Sequence, residues 1–126
     1  MKILVLISRL LLGLVFVVFG LNGFLHFIPA ELPPGLAGQF VLALMQSHYV
    51  LFVSAIQVIS GLLLLVNRYV PLALALLGPV IVNILLFHIF LLPQGLVIAV
   101  VVAILWFILF FRYREYFAGI FVQKVS

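Results

Sequence analysis

The stretch "PLALALLGPVIVNILLFHIFL", Pro71 to Leu91, has no charged side chain from end to end. A helix rises about 1.5 Å per residue, so a hydrocarbon core about 30 Å thick takes roughly 20 residues. The stretch has that length and reads as one membrane span. Lipid offers no partner to backbone N–H and C=O groups, so the span is helical. Two side chains interrupt the oil: the amide of Asn83 and the imidazole of His88.

Working outward, the same pattern recurs on both sides. Upstream lie spans over residues 10–28 and 49–66, and downstream one over residues 96–111. The breaks between them are "PAELPPG", "NRYVP" and "LPQG", all rich in turn formers. Pro71 suits the start of the third span, where its missing N–H costs nothing. The chain of 126 residues is 69% hydrophobic and 6% charged, where soluble domains carry about 25% charged residues. It therefore reads as a single all-α membrane domain over residues 1–126, a four-transmembrane-helix bundle. Barrel strands would alternate apolar and polar residues, and this chain does not.

Charge supplies an orientation. Lys2 and Arg9 precede or open the first span, Arg68 joins the second and third, and Arg112, Arg114 and Lys124 follow the fourth. All six basic residues thus fall on one side, which the positive-inside rule makes cytoplasmic, together with both termini. The net charge of +4 is too scattered to form a nucleic-acid surface. The opening "MKILVLISRLLLGLVF" resembles a signal peptide but lacks a small-residue cleavage site, and it reads as a retained helix. Residues 1–9 are expected at the interface, with Arg9 snorkelling toward water.

Two segments are too short to cross. Gly35 to Gln46 is expected to form a short outer interfacial helix. The tail spaces Tyr113, Tyr116, Phe117 and Ile120 at helical intervals, which predicts an amphipathic cytoplasmic C-terminal helix anchored by aromatic rings.

Depth then places the polar groups. Counted from the outer ends, His26 and His88 lie roughly 3–5 Å in, and Asn22, Gln57 and Asn83 about 9–12 Å. His48 and Glu31 are on the same outer side. Asn22 and His26 share a face at i and i+4. Arg9, Gly13, Gly20 and Gly23 form another stripe, the sort that lets a second helix approach closely. Ser54, Gln57 and Gly61 share a stripe on the second span. Asn83 and His88 are about 140° apart on an ideal helix, although Pro79 frees the carbonyl of Ala75 and can redirect the outer half. Asn83 is expected to face the bundle, with His88 capping it near water.

The candidate ligand-binding residues are therefore Asn22, His26, Gln57, Asn83 and His88. The plain alternative is that the amides are interhelical glue; ionisable groups inside spans are costly and more often functional. A histidine with an amide suits a quinone carbonyl, while two histidines suit haem, copper or zinc. The metal reading is the weaker one, because no span carries a carboxylate or a His-x3-His pair. With no cysteine, thiolate nucleophiles and iron–sulfur clusters are excluded. No phosphate loop or nucleophile–base pair is present.

The pattern Arg9-x3-Gly13-x2-Phe16-x3-Gly20, continuing as "GLNGFLHFIP", resembles the first helix of the DoxX family of small bacterial membrane proteins. "IQVISGLLLLVNRYVPLAL" and "PVIVNILLFHIFLLPQGL" resemble its second and third helices, and the likeness runs from about Leu4 to Phe121. The resemblance implies a four-helix bundle of the bacterial cytoplasmic (inner) membrane. It also implies an accessory or electron-transfer subunit of a quinone-linked or redox-stress assembly, with membrane or soluble redox partner proteins, rather than a stand-alone enzyme. Asn22, His26, Asn83 and His88 match its pattern. Gln57 stands where relatives of this subtype have an acid, and Trp106 near another polar position, which weighs against proton or ion chemistry here. The alternative class is a non-enzymatic module that binds a partner or moves a small solute or lipid. The glycine stripe serves equally within one bundle or between copies of a homo-oligomer.

Overall fold

A computed structural model describes residues 2–26 and 32–125. Five α-helices follow one another: α1 (Lys2–Leu25), α2 (Gly35–Gln46), α3 (Tyr49–Val66), α4 (Val70–Phe90) and α5 (Leu96–Arg112). Short 3₁₀ segments occupy Pro93–Gly95 and Arg114–Phe121. Four helices, α1, α3, α4 and α5 with its preceding 3₁₀ turn, are long and apolar enough to cross a bilayer. Glu31 and the end of the expected first span, residues 27–28, lie outside the described residues.

The four long helices form a ring. α1 packs on α3 and α5, and α4 closes the ring by packing on the same two. Neighbours are antiparallel: Gly13 lies against Gly61 while Gly20 lies against Ser54, and Leu74 meets Trp106 while His88 meets Gly95. The termini and the α3–α4 turn therefore share one end, where all six basic residues are found. α2 and the Pro93–Gly95 turn occupy the other end.

The core joins Leu12 and Phe16 of α1, Leu64 of α3, Leu74, Leu77 and Ile81 of α4, and Val102 and Leu109 of α5. Most other large apolar side chains point outward, as a lipid solvent requires. The tightest seam is between α1 and α3. A Cβ added at Gly13 would lie 2.9 Å from the carbonyl oxygen of Gly61, and one at Gly61 would lie 2.7 Å from that of Gly13. Only glycine lets these two backbones approach so closely.

α1 is continuous from Lys2, so residues 2–9, expected at the interface, belong to the same helix as the first span. "KILVLISRL" holds no helix breaker, and Arg9 does not need the interface to find partners. Its guanidinium is half-buried and donates to the carbonyls of Leu64 and Leu65, the latter at 3.2 Å. These belong to the last turn of α3, where Leu64 O also accepts from the Asn67 N–H at 3.3 Å. Arg9 thereby caps a neighbouring helix. α4 begins at Val70, so Pro71 takes its second position.

The C-terminal segment is helical but wound as a 3₁₀ helix. At about three residues per turn its side chains do not keep α-helical faces. Of the expected aromatic row only Phe117 is buried, 5.0 Å from the Phe110 ring, while Tyr116 and Ile120 are exposed.

Candidate functional site

The two ends of the ring differ. At the end bearing the termini, α3 and α4 are joined by three residues, and left-handed Asn67 (φ 58°) and Tyr69 (φ 53°) make the turn. At the other end α2 packs on α3, and a cleft of about 410 Å³ opens among α2, α3 and α4. Apolar side chains dominate its walls, including Phe40 and Leu44 of α2, Val53 of α3 and Phe87 of α4. The Phe40 and Phe87 rings meet at 5.7 Å and tie α2 to α4. Polar groups enter at Gln57 and Tyr49 from α3 and at Asn83 and His88 from α4.

Three of the expected site residues, Gln57, Asn83 and His88, are thus brought to one cavity. The angular separation of Asn83 and His88 is no obstacle, because the cleft follows α4 over two turns and more, from Pro79 to His88. Asn22 and His26 do not line it. Asn22 is half-buried on α1, and His26 is exposed in a left-handed conformation (φ 53°) just past the end of α1. His48, also left-handed (φ 63°), is exposed at the start of α3. A pair of histidines for haem or a metal ion is therefore not assembled in the cleft. Among the described residues no group of three or more His, Cys, Asp or Glu side chains comes together.

Asn83 does not face the bundle as expected; it is exposed and borders the cleft. Its Nδ2 donates to the carbonyl of Pro79 at 2.8 Å, a bond within its own helix. α4 runs unbroken through Pro79. Trp106 of α5 braces the same region, its Nε1 donating to Leu74 at 2.9 Å. The carbonyl that Pro79 deprives of its helical donor is the neighbouring one, of Ala75, an exposed residue.

His88 is the most constrained polar group in the cleft. Nδ1 lies 3.0 Å from the carbonyl of Leu92, in the turn that follows α4. The Phe87 ring stands edge-on to the imidazole at 5.2 Å and 82°. Gly95 lies against the imidazole: a Cβ there would sit 2.5 Å from Nδ1 and 3.1 Å from Nε2. Read as a sequence, Gly95 is only a turn former in "LPQG". Its part in seating a ring on the preceding helix has no local signal, because contact across a turn is set by the fold. Tyr49, Phe40 and Phe87 were equally hidden among apolar neighbours.

Comparison with family models, curated proteins and solved structures finds no match for this chain. The cleft has to be judged on its chemistry. About 410 Å³ lies within the range of small-molecule sites, which are mostly apolar with a few convergent polar groups. A ring-sized head with part of an apolar tail fits that description, and a quinone-type molecule is of that kind.

Proposed function

We propose that this protein resides in the bacterial inner membrane with both termini in the cytoplasm. There it holds a small apolar ligand with one polar head in the cleft between α2, α3 and α4. In this reading it is a member of the DoxX family and serves a quinone-linked or redox-stress assembly as an accessory or electron-transfer subunit. The observation that carries the binding reading is the convergence of Gln57, Asn83 and His88 on a cleft whose other walls are apolar. Such a cleft matches an amphiphile better than a charged solute, which would need a counter-charge among the lining residues. A bound quinone-type ring would supply two-electron chemistry. The chain itself would contribute apolar walls for the tail and hydrogen-bonding groups for the head.

The test is direct. Protein purified in mild detergent is extracted with organic solvent, and its absorption spectrum is recorded. A stoichiometric quinone or other isoprenoid in the extract, lost when Gln57→Leu and His88→Phe are combined, supports the proposal. A colourless protein with an empty extract, and cells unaltered by deletion, supports the alternative, a module that binds a partner or moves a small solute or lipid.

A further inference from the structure

We infer that the cleft selects a head group that donates a hydrogen bond, a phenol or an alcohol, over one that only accepts. The inference rests on the reading of the cleft as an amphiphile site and adds the polarity of the ligand to it.

The Leu92 backbone carbonyl can only accept, so Nδ1 of His88, 3.0 Å from it, is the protonated nitrogen of the ring. In a neutral imidazole the other nitrogen is then a bare acceptor. Nε2 has no hydrogen-bond partner among the described residues. Gly95 leaves no room for a Cβ against the ring, and Phe87 stands edge-on to it, so the imidazole is packed closely on two sides.

Asn83 continues the same pattern lower on α4. One N–H is engaged by the Pro79 carbonyl at 2.8 Å, and its carbonyl oxygen is left to accept. On the α4 wall, then, the backbone takes up a donor from each polar side chain; an acceptor remains on each, and Asn83 keeps one further N–H. Across the cleft, the Gln57 amide can give or take a hydrogen bond. A hydroxyl can donate to His88 and also accept from a donor on the cleft wall. A carbonyl or ether head leaves Nε2 facing a second acceptor. A site that pairs with a ligand hydroxyl discriminates strongly against the analogue lacking it, because its own polar atom is stranded. For a quinone-type ligand the preference falls on the hydroxyl-bearing, reduced form.

The experiment compares 4-decylphenol with its methyl ether, which has the same body and no donor. Protein in lipid nanodiscs is titrated with each at pH 8. The phenol should bind at least about tenfold tighter, the effect of about one hydrogen bond at a partly buried acceptor. His88→Phe should abolish the difference between the two compounds, and Gly95→Ala should reduce it by pushing the ring off Leu92. Independently of any variant, ¹⁵N spectra of the three histidines should show one ring protonated on Nδ1, with its Nε2 signal moved by the phenol alone. Equal affinities, tighter binding of the ether, or His88 protonated on Nε2 would overturn the inference and leave the amphiphile site standing. Binding of neither compound would overturn both.

Discussion

Ser8 and Ser60 are fully buried, and their hydroxyls have no hydrogen-bond partner among the described residues. A stranded hydroxyl costs about 1–3 kcal/mol against a site without one. Ser60→Ala is therefore expected to leave stability unchanged or raise it by up to about 1 kcal/mol, measured by thermal unfolding in detergent. A fall of more than about 1 kcal/mol would mean that the hydroxyl has a partner after all. Asn83 behaves differently. As interhelical glue it would cost about 1 kcal/mol on removal, but its bond to Pro79 stays inside one exposed turn of helix. Asn83→Leu should change stability by less than about 0.5 kcal/mol, the range of ordinary surface substitutions, and act on ligand affinity instead. The residue type was legible in the sequence. Its acceptor was not, because an Asn four residues after a proline has two competing uses, across helices or back along its own.

At the level of the element, the α1–α3 seam followed from its glycines. Gly13, Gly20 and Gly23 on one stripe predicted a close approach, and all three face α3. A side chain at Gly61 has to displace the α1 backbone, since its Cβ would sit 2.7 Å from Gly13 O and 2.9 Å from the amide nitrogen of Val17. Gly61→Val should cost about 3 kcal/mol, at the upper end for overpacking, or prevent folding, as read by midpoint temperature and yield of monodisperse protein. The partner of Arg9 was out of reach of sequence reading. A lone arginine in an apolar run commonly snorkels, and only the antiparallel placement of α1 and α3 puts a helix C-terminus within its grasp. Arg9→Met keeps the apolar stem and removes the cap. A loss of about 1.5–3 kcal/mol is expected, the usual worth of a hydrogen bond from a charged group.

For the whole molecule, the sidedness of charge is the feature most open to test. With no native cysteine the chain gives a silent background for labelling. Gln94→Cys, in the exposed turn before α5, should react with a membrane-impermeant maleimide in intact cells. Lys124→Cys should react only after the membrane is opened. The reverse pattern would invert the topology, and labelling of both sites would imply an odd number of crossings. The number of long helices and the side on which each loop falls could be derived from span lengths and turn formers. The cleft could be derived only in part. Depth counting gathered Gln57, Asn83 and His88, which line one cleft, together with Asn22 and His26, which do not, because depth says how far along a helix a residue lies and not which neighbour its side chain meets.

The short left-handed turn at Asn67 and Tyr69 gives α3 and α4 the form of a pair of tongs. Their hinge is held at the basic end of the molecule, with Arg9 clasping one arm beside it, and their tips lie beneath α2. A ligand between the tips would bear on α3 and α4 at the α2 end, at the far end of both helices from the three-residue turn that joins them.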